Sequence, residues 1–170
     1  MPTLTDPHPG DPDPDLLVQV DEVVRAVVTA FGELPDEEWA GRLRAFPVDG
    51  CEHSSWILGS LLGELGLGDW TMVGRSDGAD TERHVWLELR DADGGVRLTV
   101  DVSLHQFEGF SGPQSGRGPL AAHERWPRPQ WESRIGRREP RYGHPVYAVP
   151  LAWTRERLLA GSRRSSAASR

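Results

Sequence analysis

Along residues 16–31, Leu17, Val20, Val24, Val27, Val28 and Phe31 recur at helical spacing, which predicts an amphipathic helix. Pro35-Asp36-Glu37-Glu38 has the acidic first turn of a second, shorter helix carrying Trp39 and Leu43. In the segment FPVDGCEHSSWILGSLLGELGLG, Asp49 is a candidate N-cap, and Glu52 three residues later completes a capping-box-like pair. The apolar stripe of this helix runs through Leu58, Leu61, Leu62 and Leu65, with Gly66 or Gly68 to end it. Residues 70–73 predict a short strand, followed by the polar loop GRSDGADTER.

The next stretch, HVWLELRDADGGVRLTVDVS, alternates in the manner of a β-hairpin, and its register can be argued. Asp93-Gly94 suits a two-residue type I′ turn. Cross-strand partners then have numbers that sum to 187, so Leu89 faces Leu98, Leu87 faces Val100, and Val85 faces Val102 on one apolar face. The opposite face collects Glu88 with Thr99, Trp86 with Asp101, and His84 with Ser103. A slip of one residue would mix the two faces, so the apolar pattern supports this register independently of the turn. A bulge at Gly95 is the one local feature that competes with it.

Beyond Ser103 the pattern weakens. LHQFEGFSGPQSGRGPL reads as a surface loop, and Trp126, Trp131 and Tyr142 lie among Arg and Pro with no clear period. Residues 146–149 predict a closing strand and residues 153–159 a short terminal helix. The Pro- and Asp-rich residues 1–15 and the tail 161–170 lack the apolar content to order themselves. One domain over residues 16–160 is therefore expected, of the α+β class, with the Cys51 helix packed on an antiparallel sheet.

Composition narrows the setting. The 170 residues are 37% hydrophobic and 26% charged, enough for one modest core. No apolar run approaches the roughly 20 residues that cross a bilayer. The start MPTLTDPHPG lacks the basic and apolar regions of a secretion signal. The single Cys excludes an internal disulfide framework. A soluble, cytoplasmic protein with no membrane partner is expected. Charge is uneven: through Ser115 there are 7 Arg against 22 acidic residues, and from Gly116 onward 12 Arg against 4 Glu. The acidic first part is itself a partner for the basic end, and no aromatic-interleaved basic repeat points to nucleic acid.

The chemistry-bearing residues converge on one hypothesis. Cys51 is expected at the second position of its helix, where unpaired backbone N–H groups and the helix dipole favour a thiolate. His84 and Asp101 are diagonal neighbours on the polar hairpin face, within reach of a carboxylate–imidazole hydrogen bond. Asp101 would orient His84, and His84 would activate Cys51 as base and acid. Each residue alone has a plainer reading: a small core thiol, a strand-end His, a solvated Asp. His53 lies two positions from Cys51, so the two side chains leave the helix about 200° apart and do not suit one metal ion. No metal or other cofactor is expected. His105, His123 and His144 fall in polar stretches and read as solvated.

FPVDGCEHSSWILGSLLGELG, HVWLEL and LTVDVSLHQF together resemble the core of the transglutaminase-like branch of the papain-like cysteine enzymes, over residues 46–107. The order Cys51, His84, Asp101 matches that superfamily's nucleophile on a helix start followed by His and Asp on adjacent strands. Small bacterial members have similar motifs. The resemblance implies a papain-like fold and amide acyl chemistry through a thioester on Cys51, with water or an amine as acceptor. It implies a peptide or protein substrate, handled by a peptidase, an amidase or deamidase, or an acyltransferase. The alternatives it leaves are a degenerate member that binds peptides and a leader-peptide processing protease. Trp86 and Gln106 are candidate substrate-binding residues. The upstream oxyanion Gln of papain-type enzymes has no counterpart, because the only Gln ahead of Cys51 is Gln19.

Overall fold

The structure, a computed structural model, describes residues 14–136 and 144–168. Two α-helices, α1 (Pro14–Gly32) and α2 (Cys51–Glu64), pack on one face of a five-stranded antiparallel sheet, and α3 (Pro145–Ala168) packs against both. The strands are β1 (Trp70–Ser76), β2 (Arg83–Arg90), β3 (Val96–Asp101), β4 (Gln114–Arg117) and β5 (Arg128–Arg134), in the spatial order β4-β3-β2-β1-β5. The class is α+β, and among the described residues no helix is long and apolar enough to cross a membrane.

The apolar stripes explain the layering. Val20, Val24, Val27 and Phe31 of α1 and Ile57, Leu58, Leu61 and Leu62 of α2 bury together over Met72, Leu87, Leu89, Leu98 and Val100 of the sheet. On the other face, Val73, Trp86, Leu104 and Trp126 form a second cluster with Phe107 and Phe110. Helix α2 ends as its sequence suggests. Gly66 takes φ 73°, the N–H of Leu67 donates to Leu62 and that of Gly66 to Gly63, closing a Schellman motif.

The hairpin keeps the expected register where it matters: Leu87 pairs with Val100, Glu88 with Thr99, and Leu89 with Leu98. Its turn differs. Register shifts between Leu89 and Arg90, so Arg90 pairs with Val96, and the Asp91 N–H donates to Gly95. Gly94 sits at φ 86°, and the Asp91 carboxylate accepts N–H bonds from Asp93 and Gly95. This is a three-residue loop with a bulge in place of the two-residue turn, favoured because Asp91 satisfies the loop's backbone donors.

Other expectations change as well. The second helix is a 3₁₀ helix, Glu38–Ala45, kinked where Gly41 takes φ 55°. The N-cap of α2 is Gly50, without a side-chain cap, which puts Cys51 at the first helical position. Asp49, at φ 56°, instead pairs with Arg42. Residues 146–149 are helical, because Pro145 opens α3 at the first helical position, where its missing N–H costs nothing. The stretch read as a loop after Ser103 supplies β4, the stretch without clear period around Trp131 supplies β5, and α3 continues to Ala168. Residues 1–13, and Tyr142, lie outside the described residues.

Strand β5 is held to β1 through a close approach at Gly74, which pairs with Trp131. A Cβ on Gly74 would lie 2.4 Å from the Trp131 indole. Gly74→Ala is therefore expected to displace that ring and lower stability by about 1–3 kcal/mol, read from the urea midpoint.

Candidate active site

Cys51 begins α2 and is half-buried, with a free thiol. The segment ahead of it is clamped from two sides. Phe46 packs edge-on against Phe31 of α1 and against His105, with ring centroids 5.0 and 5.5 Å apart. The Asp49 N–H donates to the Gln106 side-chain oxygen at 3.2 Å. Gln106 belongs to the short 3₁₀ helix Leu104–Gln106, which follows β3 directly, so the chain after Asp101 braces the chain before Cys51.

His84 lies near the start of β2 and is fully buried. Its ring is boxed by Trp126 at 4.6 Å, Phe107 at 4.8 Å and Trp86 at 5.8 Å between centroids. Its Nε2 meets Asp101 Oδ2 at 2.6 Å, leaving Nδ1 buried with no hydrogen bond of standard geometry. Burial alone would lower the affinity of His84 for its proton. The Asp101 carboxylate outweighs that by charge and hydrogen bond, and Cys51 adds to it in both ways, so the pKa is raised to about 9.

Asp101, at the end of β3, is also fully buried. Its Oδ1 accepts the Ser103 N–H at 3.2 Å. Its Oδ2 accepts a second imidazole, His123 Nε2, at 3.0 Å. Burial pushes this carboxyl up, but the charge of His84 and hydrogen bonds from His123 and His84 hold it below the ordinary carboxylate value. His123 sits on the 3₁₀ helix Ala121–Arg125 and stacks on Trp86, 3.9 Å between centroids and 3° from parallel.

The structure therefore brings Cys51, His84 and Asp101 together across α2, β2 and β3. Of the other two candidates, Trp86 is buried away from the surface and Gln106 is half-buried, its side chain occupied in bracing the chain before Cys51. Trp86 is 1% exposed and donates its Nε1–H to Glu88. Gln106, besides holding Asp49, donates to the Ser103 hydroxyl at 3.4 Å. His123 corrects the solvated reading: it is 8% exposed and bound to the carboxylate. Trp126, buried completely, is a second residue the pattern did not reveal, tied by its Nε1–H to Glu82. Both sit in a stretch with no apolar period, and the only signal was the proximity of His123 to Trp126 in HERW. His53 stacks on Tyr147 at 4.3 Å, and burial followed by the charge of Arg42 lowers its pKa. Burial also lowers His105, against the opposing charge of Asp101.

Chemically, the arrangement offers a sulfur at a helix start, an imidazole with a favoured proton, and a buried carboxylate fixing that imidazole. Comparison with protein-family models, with curated proteins and with solved structures found no match.

Proposed function

We propose that this chain is a cysteine-dependent enzyme for amide acyl chemistry, a peptidase, amidase or acyltransferase of the transglutaminase-like, papain-like kind. The observation that carries the reading is the fully buried His84, bound at 2.6 Å to Asp101 and acted on by Cys51. The Cys51 thiolate adds to the substrate carbonyl. The first residue of a helix has no intrahelical acceptor for its N–H, so the Cys51 N–H supplies one donor to the oxyanion. His84 gives its proton to the departing amine as the C–N bond breaks, leaving a thioester on Cys51. Neutral His84 then takes a proton from water or an acceptor amine as that group attacks. The C–S bond breaks, and thiolate and imidazolium are restored. Asp101 keeps the ring oriented throughout.

The test is mass spectrometry of the intact protein with glutamine-containing peptides. The expected product is a covalent acyl adduct equal to the peptide less ammonia, or less an amine fragment, mapped to Cys51 and absent from Cys51→Ala. A chain that forms no adduct and whose thiol behaves like free cysteine would instead be a binding module on the same scaffold.

A further inference from the structure

The Asp101 carboxylate has more partners than a simple Cys-His-Asp arrangement requires. Its Oδ2 is shared by His84 Nε2 at 2.6 Å and His123 Nε2 at 3.0 Å, and its Oδ1 takes the Ser103 N–H. An ionised carboxylate only accepts hydrogen bonds, so both imidazole nitrogens facing it carry hydrogen. Nδ1 is then the nitrogen at which neutral His84 takes up its working proton and from which the imidazolium releases it. The second imidazole is itself fixed. It stacks nearly parallel on Trp86, and the Trp86 indole is anchored by its N–H to Glu88.

We infer that His123 is a positioning residue of the proposed site: by donating Nε2–H to the oxygen that binds His84, it orients the buried Asp101 carboxylate and keeps it an acceptor. This rests on the reading of Cys51 and His84 as the reacting pair. His123 serves through Asp101, with the Trp86 stack setting the angle of its ring. The ionisable groups acting on Asp101 are His84 from β2, His123 from its 3₁₀ helix and His105 from the turn after β3, while Cys51 on α2 acts on His84. A buried carboxylate that loses a donor binds a proton more readily. Once protonated, it no longer stabilises the imidazolium.

The experiment is a pH titration of the assigned Asp101 carboxyl ¹³C resonance in the full chain, with alkylation of Cys51 followed over the same range. His123→Phe retains an aromatic ring for the Trp86 stack but has no donor. His123→Gln keeps an N–H donor but loses the stack. His123→Phe is expected to raise the Asp101 midpoint by about one pH unit and to move the acid limb of alkylation with it. His123→Gln is expected to stay close to wild type. Should the Phe variant not fold, His123→Met serves as the donor-free form. An unchanged midpoint without the donor, or an equal rise in His123→Gln, overturns the inference and leaves His123 a packing residue. The carboxyl titration needs no chemistry at Cys51. A midpoint shift beside an unreactive thiol would defeat the enzymatic reading while sustaining the role of His123.

Discussion

Replacing His84 with Ala is expected to slow alkylation of Cys51 by iodoacetamide at pH 6 by about tenfold or more. A free cysteine, with a pKa of about 8.5, is only roughly 0.3% thiolate at pH 6. A neighbouring cation favours attack by the thiolate, and its loss slows the reaction. His84 is the cation beside Cys51 whose removal the rate reads, since its pKa is raised to about 9 and it is charged across the whole neutral range. The ring is fully buried, so His84→Ala also opens a cavity. His84→Gln keeps more of the volume without the charge and is expected to show the same loss. Retention of the wild-type rate by both variants would remove His84 from the reaction.

Asp101→Ala is expected to be the most destabilising single change in the site, by about 3–5 kcal/mol in urea denaturation. It strands the N–H groups of His84 and His123 in a buried setting, a penalty set by uncompensated polarity more than by lost volume. The linkage has a definite sign. His84 is raised from 6.5 to about 9, so its contribution is fully present below pH 6.5 and is lost as pH rises through about 9. That change is worth about 3 kcal/mol. Asp101 is held below its reference 3.8, so its contribution is present above that value and lost as pH falls below it. Wild type is therefore expected to lose stability from pH 6.5 to 9. Asp101→Asn retains an acceptor oxygen but no charge, and its stability should change much less over the same interval. A parallel decline in both proteins would contradict the assignment of that loss to this pair.

The elements that place the site were readable because each buries one side. The stripe of α1, the leucines of α2 and the two faces of the β2–β3 hairpin follow from helical and two-residue periods. The hairpin register follows from which residues must be dry, and it puts Asp101 beside His84 even though the turn is built differently. The two strands that were missed, β4 and β5, are the edges of the sheet. Edge strands carry polar and charged residues and tolerate Pro, as RPQWESR does, so no alternation marks them. The first turn of α3 is ambiguous in sequence because a short apolar run fits strand or helix, and only Pro145 favours the helix. His123 escaped notice for a related reason. Its environment is created by Trp86 and Asp101, both distant in sequence, and nearby only Trp126 hints at burial.

The central claim is that one sulfur and one carboxylate act on the same imidazole. NMR titration of the His84 ring, in wild type and in Cys51→Ala, addresses it without any substrate. The expected midpoint is about 9 in wild type, falling when the sulfur is removed, because Cys51 contributes to the rise. A His84 midpoint that is identical with and without the sulfur would place Cys51 outside the site and contradict the account.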